Sequence, residues 1–404
     1  MSGIYMHIPF CESRCIYCGF YSTLTPKRGN EKANKSIIDR YTDAICKELE
    51  LQKGYLFNNS TPRKENINTI YFGGGTPSQL SIEHIKQVFC QISTTYADHI
   101  TTMDKMEISF ECNPDDITEA FVNHLKSLPI NRISMGAQTF DNERLKFLRR
   151  RHKAEDIKTA VERLRSVGIN NISIDLMFGF PNETIEEWRK DIDRVLELNV
   201  EHISAYSLMY EEGTPLYRLL EEGKVADMDE ETYRAMYNEL IDKLTAAGYE
   251  QYEISNFARL DHHTKSPYRS HHNSAYWQNK PYLGIGASAH SYNLKTRQWN
   301  VSNLTKYIEG IENGTPNFET EEIDARTHYN DLITTALRTC EGINIERLSS
   351  HYKMHIMSCA ASFIAKRQLA LDGNYLRFTR EGIYISDSIM SDLMDTLIPQ
   401  HKFL

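Results

Sequence analysis

Short apolar runs alternate with helical stripes through the first half of the chain. GIYMHIP, NTIYFGGG, KMEISFECNP, NRISMGAQTF, NISIDLMFGF and HISAYSLMY each carry four or more apolar or β-branched residues. These six runs predict strands. Between the fourth and fifth, Ile157, Ala160, Val161 and Leu164 fall on one face at helical spacing, and Gly168 supplies a stop signal. After the fifth, Thr184 and Glu187 form a capping-box pair ahead of Ile185, Trp188, Ile192, Val195 and Leu196. Strand, helix, strand in repetition predicts a parallel sheet built from βα units. Two polar stretches between the first two strands, TPKRGNEKANK and NNSTPRKENIN, are expected as surface insertions.

The rhythm stops near residue 245. An aromatic-, His- and Gly-rich stretch follows, from YEQYEISNFARL to LGIGASAHSYN, and from about residue 315 the pattern is helical. NYLRFTREGIYISD near the end alternates like a strand and resembles the wing of a small winged-helix unit. The expected organisation is a first domain over 1–245, a connecting region over 246–314 and a C-terminal domain over 315–404.

Composition narrows this reading only slightly. With 404 residues, 40% of them hydrophobic and 25% charged, the chain is an ordinary globular one of more than one domain. A net charge of -9 argues against a general nucleic-acid binder. No window reaches the ~18 consecutive apolar residues of a membrane span, and the amino terminus lacks the basic and apolar regions of a secretion signal, so a cytoplasmic protein is expected. Cys46, Cys90, Cys112, Cys340 and Cys359 are scattered and are expected as small hydrophobes.

The chemistry concentrates just after the first strand. Cys11, Cys15 and Cys18 have C-x3-C-x2-C spacing on the loop at that strand's carboxyl end, where α/β sheets place their sites. Three soft thiolates suit an iron–sulfur cluster or zinc, with His7 near enough in sequence to be weighed as a fourth zinc ligand. Further residues stand at successive strand ends: the glycine turn Gly73-Gly74-Gly75-Thr76-Pro77, Glu111 in ECNP, Gln138 in SMGAQTF, Arg150 in LRRRH and Asp175 in SIDLMFGFP. Taken singly, each reads as well as a tight turn or as ordinary strand-end polarity.

Together, in this order, they resemble the radical S-adenosylmethionine (SAM) superfamily, and within it the anaerobic coproporphyrinogen III oxidase family with its heme-chaperone (HemW) branch. The resemblance implies a partial (β/α)6 barrel, a [4Fe-4S] cluster on the three cysteines, and SAM held by Gly74, Gly75, Thr76, Glu111, Gln138, Arg150 and Asp175. It also implies that Tyr5 and Tyr17 flank the cluster and adenine.

Two features separate the chain from the oxidase. The position two beyond Cys18 is Phe20 where the oxidase pattern has cysteine, and the first strand begins at about residue 3, leaving no room for the oxidase's amino-terminal extension. A third points to the chaperone branch: His272-Asn273-Ser274-Ala275-Tyr276-Trp277 is an HNxxYW sequence resembling the motif that the branch associates with heme. Imidazole can ligate heme iron, and Tyr276 and Trp277 offer flat apolar area, although packing residues beside a surface histidine would read the same way. His290 and His7 are the next candidates for the iron. The resemblance therefore implies heme carriage without oxidase activity. It implies heme, heme-acceptor proteins and an electron donor as partners, and it leaves a peripheral membrane contact open. Coproporphyrinogen oxidation and a catalytically silent Fe-S scaffold remain as alternatives.

Overall fold

The computed structural model describes residues 2–25, 36–57, 66–100, 102–261 and 266–396. Most of the two polar stretches lies outside them. The six predicted strands all form: β1 (Ser2–Ile8), β2 (Ile67–Gly74), β3 (Glu107–Cys112), β4 (Arg132–Gln138), β5 (Asn171–Phe178) and β6 (His202–Ser207). They pair in parallel in chain order, β1-β2-β3-β4-β5-β6. Parallel neighbours need crossovers, which are supplied by α1 (Ile37–Leu51), α2 (Ile82–Thr95), α3 (Glu119–Leu125), α4 (Ala154–Ser166) and α5 (Ile185–Glu197). This is the parallel βα sheet expected from the pattern and the partial barrel implied by the resemblance.

Local chemistry fixes the helices where the sequence marks them. In α5 the Thr184 hydroxyl accepts from Glu187 N and the Glu187 carboxylate accepts from Thr184 N, closing the capping box. Trp188, Ile192 and Val195 are buried, whereas Ile185 and Leu196 stay at the margin. All four stripe residues of α4 are buried, and Gly168 takes φ +89° just after the helix.

The stretch after 245 is part of the same sheet. β7 (Tyr249–Glu253) and β8 (Asn256–Arg259) add antiparallel to the β6 edge. β9 (Tyr282–Ile285) pairs in parallel with β1 at the other edge, and β10 (His290–Tyr292), β11 (Thr296–Asn300) and β12 (Phe318–Glu322) follow antiparallel. The result is one twelve-stranded sheet reaching past residue 314. The rhythm breaks there because antiparallel neighbours need no crossover helix, so the break marks a change of strand direction within the sheet.

A separate core begins at Tyr329 and includes Ile333, Ile343, Ile356, Leu376 and Leu393. It joins α8 (Ala325–Ala336), α9 (Ser350–Ala365) and α10 (Ser386–Leu393) to a three-stranded antiparallel sheet of β13 (Ile343–Asn344), β14 (Leu369–Asp372) and β15 (Tyr375–Phe378). The hairpin β14–β15 is the wing. Only Tyr375–Phe378 of NYLRFTREGIYISD is strand, however. Thr379 caps a turn of helix over Arg380–Ile383, where Ile383 packs on the main core and Ile385 on the second, so the apparent alternation comes from apolar residues shared between two cores. Among the described residues no helix is long and apolar enough to cross a membrane.

The helix α6 (Glu230–Ala246) packs on α5 and β7, and α7 (His271–Trp277) carries HNxxYW against β1 and β2.

Candidate functional site

The carboxyl ends of the barrel strands open on one cavity of about 780 Å3. Cys11, Cys15, Cys18 and Tyr17 line it, together with Gly74, Gly75, Thr76, Glu111, Gln138, Arg150, Asp175 and Asn273. Tyr5, His272, Tyr276 and Trp277 are not on its wall.

The cysteine loop is fastened at both ends. Phe10–Cys11 pairs with Thr23–Leu24 in a two-stranded ribbon. Ile16 sinks between Leu148, Met177, Phe180, Leu208 and Leu216, its N–H donating to Leu148 O at 3.3 Å. With Ile16 held down, the flanking thiols face the cavity. Thr76 Oγ1 lies 3.6 Å from Cys11 Sγ, and Arg150 Nη1 lies 3.4 Å from Cys15 Sγ. Burial pushes the Cys11 thiol up and the Cys18 thiol to about 11.

Two glycines are required by close approach. A Cβ on Gly75 would stand 2.9 Å from Cys11 Sγ and 2.8 Å from the Pro9 carbonyl; one on Gly74, already at φ +111°, would strike the His7 ring at 2.7 Å. The thiols fit an iron–sulfur cluster better than a closed zinc site. Among the described residues no three His, Cys, Asp or Glu side chains converge on a single ion, whereas a cluster takes each thiolate on a different iron. His7 is no fourth ligand, because its ring nitrogens pair with Tyr5 Oη at 3.1 Å and the Tyr21 carbonyl at 2.9 Å. Tyr5 thus stands behind the cavity wall, tilted against His7 and stacked on Tyr71.

The polar residues at the strand ends are aimed inward by specific partners. Glu111 accepts from Tyr71 Oη at 2.7 Å and from Gly74 N at 3.2 Å, and burial raises its carboxyl to about 7. Asp175 accepts from Ser134 Oγ at 3.4 Å and is pushed by burial to about 6. Buried carboxylates held this way favour an added cation or hydroxyl donor. Gln138 faces the cavity because β4 slips register between Gly136 and Gln138, leaving Gln138 at φ +70°. A bulge that re-aims a side chain is common beside functional sites. Arg150 donates to Asn113 Oδ1 at 2.7 Å and to the Gly136 carbonyl at 2.5 Å, tying the cysteine loop to β3 and β4.

HNxxYW behaves differently from its expectation. Glu107 accepts from His271 N and His272 N at 2.8 and 2.9 Å, capping α7 against the start of β3. His272 is 2% exposed. Its Nδ1 pairs with Thr69 Oγ1 and its Nε2 with Tyr276 Oη, both at 2.8 Å, while its ring stacks on Tyr71. Neither nitrogen has a lone pair free for iron, and burial lowers the imidazole to about 3. This geometry contradicts the reading of His272 as a surface histidine and, with both ring nitrogens paired, makes it part of the barrel floor. Tyr276 meets Tyr282 edge-on, and Trp277 lies under Arg338 at 5.0 Å in a smaller cleft of about 320 Å3. Asn273 alone of the motif reaches the main cavity. His290 stands on the far antiparallel strand, exposed and stacked on Trp299.

Sequence reasoning missed Tyr71, Asn113, Ser134 and Arg132, all on the cavity wall. The signal was available: β3, β4 and β6 place a polar side chain at every second residue, on one face, as in Glu107-Ser109-Glu111, Arg132-Ser134 and His202-Ser204. A strand buried on both faces should be apolar throughout.

The chain matches the radical SAM superfamily over residues 5–195. It is 35% identical to the heme chaperone HemW of Bacillus subtilis over 353 residues, 87% of each chain. It is 28% identical to the heme chaperone HemW of Lactococcus lactis over 97% of each. Its fold is similar to that of the coproporphyrinogen III oxidase HemN of Escherichia coli, with a TM-score of 0.80, 21% identity, and coverage of 98% of this chain and 90% of that one. Identity of this extent, across a barrel whose mouth carries the three thiols, places the chain in the radical SAM superfamily, and it belongs to the HemW family within it.

Proposed function

We propose that this protein is a heme chaperone: it binds heme and delivers it to acceptor hemoproteins. The observation that carries the reading is the identity to a curated heme chaperone along 87% of both chains. Membership of the superfamily implies a [4Fe-4S] cluster and SAM as cofactors. Cys11, Cys15 and Cys18 hold the cluster, which when bound supplies an open iron and an electron taken from a donor protein. Gly74, Gly75 and Thr76 give SAM a close backbone seat, Glu111 and Asp175 accept from its ammonium and hydroxyl groups, and Gln138 and Arg150 donate to it.

The oxidase reading rests on a fold likeness at 21% identity, which concerns the fold alone. Phe20 weighs against it. The oxidase pattern has cysteine there, whereas this side chain is 73% exposed at the cavity mouth.

The deciding experiment sets two assays side by side on anaerobically reconstituted protein. Hemin is expected to bind with a shifted Soret band and to pass to an apo-hemoprotein. Coproporphyrinogen III is expected to remain unconverted with SAM, reductant and intact cluster present. Robust decarboxylation would replace the chaperone reading with the oxidase one, and formation of neither product nor heme complex would leave a silent scaffold.

A second expectation concerns SAM. Glu111→Ala and Asp175→Ala each remove a charged hydrogen-bond partner, at a cost of ~1.5–3 kcal/mol, or roughly ten- to more than hundredfold in affinity. Equilibrium dialysis with labelled SAM checks this. The cluster spectrum should be unchanged, and wild-type affinity in both variants would refute the assignment.

A further inference from the structure

Arg132 opens β4 and is 1% exposed. Its guanidinium borders the cavity, yet its Nε has no hydrogen-bond partner. Arginines elsewhere are tied to carboxylates: Arg144 to Glu183 and Glu187, Arg151 to Asp116, and Arg165 to Glu201, at 2.7–3.2 Å. Among the described residues Arg132 forms no such pair. Glu111 and Asp175 feel its field without contacting it. Taking a guanidinium out of water is costly unless an anion and hydrogen bonds offset the loss.

The same cavity holds further donors. Arg338 enters the same cavity from beyond α8, its Nε also without a partner and its Nη2 3.5 Å from Glu253 Oε2. Asn273, from HNxxYW, lines the same cavity. Two guanidiniums and an amide lining one cavity are the donor types that recognise a carboxylate.

We propose that Arg132, with Arg338 and Asn273 on the same cavity, forms a carboxylate-binding subsite additional to the residues assigned to SAM above. Two ligands bring such a group: a tetrapyrrole through its propionates, which rests on the chaperone reading, and SAM through its methionine carboxylate. The subsite gives HNxxYW a place in the site through Asn273, while His272 holds the floor under it.

The test uses the full chain with its cluster reconstituted, in wild-type, Arg132→Met and Arg132→Lys forms. Soret titration measures hemin and hemin dimethyl ester, and dialysis measures SAM. Removing a buried cation that lacks a partner is expected to leave the melting temperature of Arg132→Met equal to or above wild type. Affinity for the carboxylate ligand should fall about ten- to hundredfold, with Arg132→Lys recovering part of it. If hemin weakens, and wild type prefers hemin to its ester by a similar factor, the carboxylate is a propionate. If only SAM weakens, and still does so at alkaline pH where Glu111 and Asp175 ionise regardless, it is the methionine carboxylate. Unchanged affinity for both ligands in folded Arg132→Met, above all with a lowered melting temperature, overturns the subsite and leaves Arg132 as a counter-charge to Glu111 and Asp175. Should Arg132→Met fail to fold, Arg132→Lys and the ester comparison on wild type decide the same question. A wild-type protein that binds no hemin sinks the chaperone reading alone, because the SAM arm still judges the subsite.

Discussion

Alanine at Cys11, Cys15 or Cys18, one substitution at a time, is expected to abolish the visible absorbance of the reconstituted [4Fe-4S] cluster. The effect should be all or none, because each thiolate holds its own iron. His7, the imidazole nearest the loop in sequence, spends both nitrogens on Tyr5 and the Tyr21 carbonyl. Cys46 is buried in the core against α2, Cys90 and Cys340 are exposed, and Cys359 packs on the second core. Cys112 is the sharpest control. It borders the same cavity but sits at the end of β3, off the cysteine loop, so Cys112→Ala should keep its cluster. Iron and acid-labile sulfide content, read with the spectrum, checks the series. An intact cluster in Cys15→Ala would remove the basis of the SAM and heme readings together.

The cysteine loop was legible because its chemistry is local. Three thiols within eight residues need no tertiary knowledge, and the strand ahead of them already says where the loop lies. The same holds for the six parallel strands and for the capping box of α5, where period and cap fall within one short window. Legibility failed where the deciding partner is distant. His272 looks like a surface histidine until Thr69, more than two hundred residues away in the chain, is placed against its ring. Gln138 reaches the cavity through a register slip that no hydrophobic period encodes. Arg132 reads as strand-start polarity in NRIS, although its alternation with Ser134 carried a signal of an inward polar face. The pairing of the connecting region was not legible for a related reason. Strand pairing with β1 and β6, which decides that 246–314 belongs to the sheet, is a property of the whole fold.

The burial of His272 makes a further sharp expectation. His272→Ala should act on stability: it strips partners from the Thr69 and Tyr276 hydroxyls and opens a gap beneath Tyr71. Each buried hydroxyl left unpaired costs ~1–3 kcal/mol, and the lost packing adds to it, so a total of about 3–5 kcal/mol is expected. Denaturant unfolding, read by the midpoint at constant slope, measures it. Thr69→Val and Tyr276→Phe each remove one partner only. Combined with His272→Ala they should cost much less than the sum of the single changes, because the three side chains form one network. Heme chemistry gives the opposite signature: an iron ligand would leave stability near wild type and shift the Soret band. If His272→Ala unfolds at the wild-type midpoint and loses heme, α7 must swing off the floor to present its imidazole, and the packed arrangement would not be the one that carries heme. If it unfolds early and the residual folded protein binds hemin unchanged, the histidine of HNxxYW holds the barrel closed from below, and the motif meets ligand only through Asn273.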